Sequence, residues 1–222
     1  MKSNLIFILL PILFAGCGDS GHKPDISDNA AEKDPAESAI EWSQLQTSNG
    51  DAHTPNSDKP FSGWAKRAYG NGQLEVLAEF TDGTITRLQQ WQENGIPKFD
   101  IGYTQGKVSV KGVPIDNWVD SNFSNHHGFA ILYDENGQKM EEGNYQNGKL
   151  EGLYTFWYEN GQKESKVNFQ KDKLISAEVW KPNGEKCTVS NLVNRNGVVV
   201  LYEEDGSESE RITIKEGEIA ND

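Results

Sequence analysis

An Asn-Gly pair returns along this chain at nearly fixed intervals. It stands at Asn71, Asn94, Asn136, Asn160 and Asn183, with Asp205-Gly206 as the last version, and the spacing is 22–24 residues apart from one interval of 42. Both residue types tolerate the positive φ that tight hairpin turns need. The flanking runs are short and rich in aromatic and β-branched residues, which suit strands. A repeat of this length is one supersecondary unit that must stack on its neighbours to bury a core.

The register holds inside each unit. Three positions before the turn residue stand Ala68, Trp91, Tyr133, Trp157, Trp180 and Tyr202. Nine positions after it stand Phe80, Tyr103, Tyr145, Phe169, Leu192 and Ile214, apolar without exception. A second turn follows at Asp82-Gly83, Gln105-Gly106, Asn147-Gly148, Lys171-Asp172, Asn194-Arg195 and Glu216-Gly217. The fold expected is all-β: an elongated antiparallel meander of about six hairpins over 61–219. A single hairpin is marginal alone. Trp91, Tyr133, Trp157, Trp180 and Tyr202 are therefore expected to form a structural aromatic ladder along one face. Trp157 is expected in the core, and Tyr158, alternating with it, on the other side.

The segment before the repeats has different chemistry. Residues 18–60 carry nine acids against three lysines, about half of the net charge of −13. They have almost no apolar pattern, so 17–60 is expected to be a disordered acidic linker. Ile40, Trp42 and Leu45 are its only apolar cluster, enough for a short helical turn.

Residues 1–16 have the three parts of a secretory signal peptide: Lys2, the apolar run Leu5–Phe14, and the small pair Ala15-Gly16. Phe14-Ala15-Gly16-Cys17 resembles a bacterial lipobox with Phe in place of the usual Leu. The resemblance implies a lipid on Cys17, a membrane as one partner, and, with Gly18 rather than Asp next, the outer membrane as the location. The other cysteine, Cys187, is then left without a disulfide partner and is expected to be an ordinary strand residue.

The sequences Tyr158-Glu159-Asn160-Gly161-Gln162-Lys163, Gly143-Asn144-Tyr145-Gln146-Asn147-Gly148-Lys149-Leu150-Glu151-Gly152 and Gly152-Leu153-Tyr154-Thr155-Phe156-Trp157-Tyr158 carry a specific likeness. They resemble the MORN-repeat variant of bacterial YwqK-type proteins, most strongly over 127–174. That resemblance implies protein binding, in the antitoxin or immunity sense, with a toxin as partner. A cytoplasmic antitoxin would not carry an export signal, so the lipobox departs from the family pattern.

The irregular interval contains an insertion, 107–127, with Trp118, Phe123, His126 and His127. Long insertions in regular scaffolds are often functional, and these four residues are the candidate binding residues. Adjacent histidines on a strand face opposite ways and do not readily share an ion, so no metal is expected. No cofactor and no small-molecule substrate are expected either. Nucleophile-elbow, zinc-protease and phosphate-loop motifs do not occur, which argues against an enzyme. The acidic balance disfavours nucleic acid. The leading reading is a membrane-anchored, non-enzymatic protein-interaction module. The alternative is an envelope structural protein that binds glycan or peptidoglycan through exposed aromatics.

Overall fold

The computed structural model describes residues 34–48, 51–103 and 127–220. The chain is nearly all-β and built of antiparallel hairpins, as the repeat predicts. The described residues fall into two compact units. One comprises the chain up to Gly128 with Glu135–Gly137, the other Phe129–Asp134 and the chain from Gln138 on.

In the N-terminal unit, β4 (Gly63–Ala68), β5 (Leu74–Thr81), β6 (Thr84–Trp91) and β7 (Pro97–Gly102) form an antiparallel meander. Its inner face buries Ala65, Val76, Ala78, Phe80, Ile85, Leu88, Phe99 and Ile101. The expectation of a structureless linker up to residue 60 is corrected over the part described. A four-residue helix, α1 (Pro35–Ser38), leads to β1 (Ile40–Glu41), which pairs in parallel with β4. A 3₁₀ turn at Trp42–Gln44 follows, then a small hairpin of β2 (Gln46–Ser48) and β3 (Asp51–His53). The physical reason is that a few apolar groups suffice once a sheet is there to receive them. Trp42 and Phe61 both pack on Phe80, with ring centroids 5.7 and 5.6 Å away, and Ala52 is fully buried. Residues 17–33, including Cys17, lie outside the described residues.

In the C-terminal unit the meander is β8 (Gly128–Tyr133), β9 (Lys139–Gln146), β10 (Lys149–Trp157), β11 (Lys163–Gln170) and β12 (Lys173–Val179). A separate three-stranded sheet, β13 (Gly197–Tyr202), β14 (Glu208–Lys215) and β15 (Glu218–Ile219), completes the unit. One core joins the two sheets: Tyr154, Phe156, Val167, Phe169, Leu174 and Val179 with Val199, Leu201, Ile212 and Ile214. The regular repeat breaks between Lys186 and Asn196, where only isolated bridges form. There Asn191 Oδ1 accepts from Val198 N–H, and Ser190 Oγ accepts from Val200 N–H. Side chains occupy the backbone donors that a continuing ladder would use. Cys187 lies in this stretch, buried in the core, and not in a strand as expected.

The two turn columns have two different geometries. At the second turns both central residues are left-handed: Asp82-Gly83 at φ 48° and 78°, Asn147-Gly148 at 53° and 73°, Lys171-Asp172 at 51° and 68°. These are two-residue loops whose twist matches the strands. At the first turns only the glycine is left-handed, for example Gly72 at 86° and Gly161 at 80°. Tyr158 N–H donates to Gln162 O at 2.9 Å and Gly161 N–H to Tyr158 O at 3.0 Å. The same pair of bonds recurs at Tyr69, Gln92, Lys181 and Glu203. The turn asparagine therefore acts through its side chain. Asn160 Oδ1 accepts from Gln162 N–H at 2.8 Å, and Asn71, Asn94, Asn183 and Asp205 do likewise two residues on.

Each turn is also tied to the next. Asn71 Nδ2 donates to Glu93 O and Asn160 Nδ2 to Pro182 O. Tyr69 and Tyr158 donate their hydroxyls to Trp91 O and Trp180 O. All four contacts span 22 residues, so the period of the sequence is the rise from one hairpin to the next.

Candidate functional site

The aromatic column three residues before each first turn is held at a fixed place by the turn itself. A bulge interrupts the ladder between Phe156 and Trp157, between Gln90 and Trp91 and between Leu201 and Tyr202. After the bulge Trp157 pairs with Lys163, Trp91 with Pro97 and Tyr202 with Glu208, while Trp180 bridges Lys186. Inward positions alternate as Tyr154, Phe156 and Tyr158, all buried, and Trp157 stands on the opposite, outer face. This reverses the expected assignment. Trp91, Tyr133, Trp157 and Trp180 are all half-buried, and only Tyr202 of the five is buried, within the three-stranded sheet. The columns that build the core stand four and six residues before the turn (Phe156 and Tyr154, Val179, Leu201 and Val199) and nine after it (Phe80, Phe169, Leu192, Ile214).

The outer face of the C-terminal unit carries a register that sequence reading missed. Lys139, Lys163 and Lys186 each stand three residues after a turn asparagine. Lys139 Nζ lies 5.3 Å from the centre of the Trp157 ring, and Lys163 and Lys186 lie 5.2 and 5.7 Å from that of Trp180. Lys181 lies 5.9 Å from the Tyr202 ring. Cations and ring faces attract through the ring quadrupole, on the order of 0.5–1 kcal/mol at exposed sites. The result is a row crossing the strands in the order Lys139, Trp157, Lys163, Trp180, Lys186. The signal was present in the sequence, since the recurring Gln-Lys after two of the Asn-Gly turns places a lysine opposite the next aromatic.

The row is flanked by carboxylates. Lys139 pairs with Glu142 at 2.6 Å, and Lys186 with Glu178. The Glu178 carboxyl is held below its ordinary range chiefly by that hydrogen bond from Lys186. Both pairs are exposed, where screening leaves little stabilisation. Four residues before Trp157 on the same strand, Leu153 is 52% exposed. Half-buried tryptophan with exposed charged neighbours and an exposed leucine can be desolvated by a partner surface without first opening the core.

Beneath the row, the inner side is chemically unlike it. Burial pushes the Glu141 carboxyl up to about 7, a hydrogen bond with Tyr154 acts against that rise, and nearby Glu164 adds to it. Glu164 itself is buried. Tyr145 and Tyr154 face each other at 3.2 Å between hydroxyls, and burial pushes Tyr145 up to about 12. Cys187 Sγ lies 3.1 Å from the Tyr202 hydroxyl and accepts from Ser190 N–H at 3.4 Å.

Of the candidate binding residues, His127 is described; it is half-buried and directly precedes β8. Trp118, Phe123 and His126 lie outside the described residues, as does Cys17.

Residues 127–147 and 150–171 match the MORN repeat variant. Each matched stretch is one strand–turn–strand unit, β8 with β9 and β10 with β11, and the Asn147-Gly148 turn joins them. The match thus covers the part of the C-terminal unit that carries Lys139, Trp157 and Lys163. No curated protein matches the chain.

Proposed function

We propose that this protein is a membrane-anchored, non-enzymatic interaction module that holds a protein partner on the outer face of its MORN-type repeats. The observation that carries the reading is the lysine–tryptophan row. The repeat places half-buried rings and their lysines at one spacing on the side of the sheet that the core does not use. Large aromatics ringed by polar groups are the residue pattern of interface hot spots. The finer form of the proposal is an immunity-type role, in which the partner is a secreted toxin and the lipid on Cys17 keeps the complex at the envelope.

Site-specific photo-crosslinking in cells tests it. A crosslinker at Lys163 or Leu153 is expected to capture a protein of one discrete mass. The same group at Lys215, on the three-stranded sheet, is expected not to. Equal capture from both positions, or none from the row, overturns the docking surface. Anchoring is read separately: Cys17→Ser is expected to move the protein from the membrane to the soluble fraction, because stable attachment requires more than one acyl chain on that cysteine.

A further inference from the structure

We propose that the outer face of the N-terminal unit holds a binding site for a neutral saccharide, in the cavity between Trp64 and Trp91. It is a second site, built on different residues from the docking row. The repeat register locates it. In the C-terminal unit Lys139 and Lys163, each three residues after its turn asparagine, lie against the next aromatic, Trp157 and Trp180. In the N-terminal unit the corresponding position before Trp91 is Leu74. Where the lysine would stand, the structure has a cavity of about 360 Å³ lined by Trp64, Leu74, Leu77, Arg87, Gln89 and Trp91. That is within the lower range of small-ligand sites. The start of α1, with Asp34 and Ala36, forms one wall, and Lys66 Nζ fastens it by donating to Ala36 O at 2.9 Å.

The chemistry of the lining selects the ligand class. Two indoles and two leucines offer apolar surface suited to the C–H face of a sugar ring. The polar groups beside them are planar and held in place. Asp100 takes Arg87 by two hydrogen bonds, Nε at 2.9 Å and Nη2 at 2.6 Å, and also accepts from Gln89 Nε2 at 3.0 Å. Asp100 is 8% exposed, so the pair is fixed from the buried side. The Gln89 amide, fixed in this way against the Arg87–Asp100 pair, presents a hydrogen-bonding edge to hydroxyl groups without having to be ordered on binding. Charge argues for neutrality. Arg87 is compensated by Asp100, and Asp34 on the wall repels an anion. A purely apolar ligand would leave the Gln89 amide edge without water or a partner, which costs free energy.

The full chain has six tryptophans, each with an indole N–H that can be followed by NMR. Titration with cellotriose, maltotriose and chitotriose is expected to give saturable shifts of the Trp64 and Trp91 signals with at least one of them. Trp157 and Trp180 should not move. Trp91→Ala, checked for folding by its remaining signals, is expected to weaken binding about tenfold or more. Arg87→Gln, which keeps a planar amide but releases Asp100, is expected to weaken it as well. If none of the three saccharides produces a saturable shift up to about 10 mM, or if the shifts centre on Trp157 and Trp180, the proposal fails. Because the readout is confined to the N-terminal unit, its failure leaves the docking row untouched.

Discussion

Trp157 and Tyr158 are adjacent, aromatic and on opposite sides of the same sheet. Tyr158 is 5% exposed, donates its hydroxyl to Trp180 O at 2.7 Å, and ties one turn to the next. Trp157 is half-buried and rests against Lys139. Truncating the first removes buried ring and a buried hydrogen bond together. Tyr158→Ala is therefore expected to cost about 3–5 kcal/mol, and Tyr158→Phe about 1 kcal/mol for the bond alone. Trp157→Ala is expected to cost clearly less than Tyr158→Ala. Urea denaturation of the three variants checks the order. A larger loss at Trp157 than at Tyr158 would contradict the face assignment.

At the scale of the hairpin, most of the fold was legible and for a stated reason. Turns are encoded by residues with unusual backbone freedom, and Gly72, Gly95, Gly137, Gly161, Gly184 and Gly206 all take the left-handed conformation where the repeat placed them. Apolar columns were legible too, since Phe80, Phe169, Leu192 and Ile214 are buried at one register. The facing of the aromatic ladder was not. Tyr154, Phe156, Trp157 and Tyr158 are all aromatic, so composition does not say which parity faces inward. The inward side does require one particular residue: an added Cβ at Gly143 would stand 2.0 Å from the buried Tyr154 ring, so that ring fits only across from a glycine. Sequence reading also missed the lysine register and the saccharide cavity. The second depends on Arg87 and Asp100 meeting across two strands, which no local pattern announces. The second turns carry a cost that can be removed. Lys171 holds φ 51°, a left-handed conformation that costs lysine more than asparagine, whose short polar side chain can hydrogen-bond the local backbone. Its backbone N–H bond to Glu151 Oε2 survives substitution. Lys171→Asn is expected to raise stability by roughly 0.5–1 kcal/mol, seen as a small rise in the denaturation midpoint at unchanged m-value.

Across the molecule, charge and burial oppose each other at a few carboxylates, Asp100, Glu164 and Glu141 among them. The chain carries a formal −13, and most of its acids lie where water solvates them. Glu141 does not. It is paired with Phe156 on the inner side of β9, with Tyr145 on its own strand, Tyr154 on β10 and Glu164 on β11 around it. Its carboxyl is pushed up to about 7 from an ordinary 4.5, chiefly by burial. The folded state thus binds this proton more tightly than the unfolded state. By linkage, the stabilisation is fully present below about pH 4.5 and is lost as pH rises through about 7. The size is on the order of 1–3 kcal/mol. Tyr145 and Tyr154, both raised by burial, stay neutral across that window and do not confuse the reading. Lower pH also reduces the repulsion among the remaining acids, so the trend in the wild type alone is not diagnostic. Glu141→Gln separates the two effects. Glutamine keeps the shape but has no proton to lose, so the variant is expected to be as stable as the wild type near pH 4 and more stable near pH 8. Equal stabilities of variant and wild type at both pH values would show that Glu141 titrates as an ordinary surface acid.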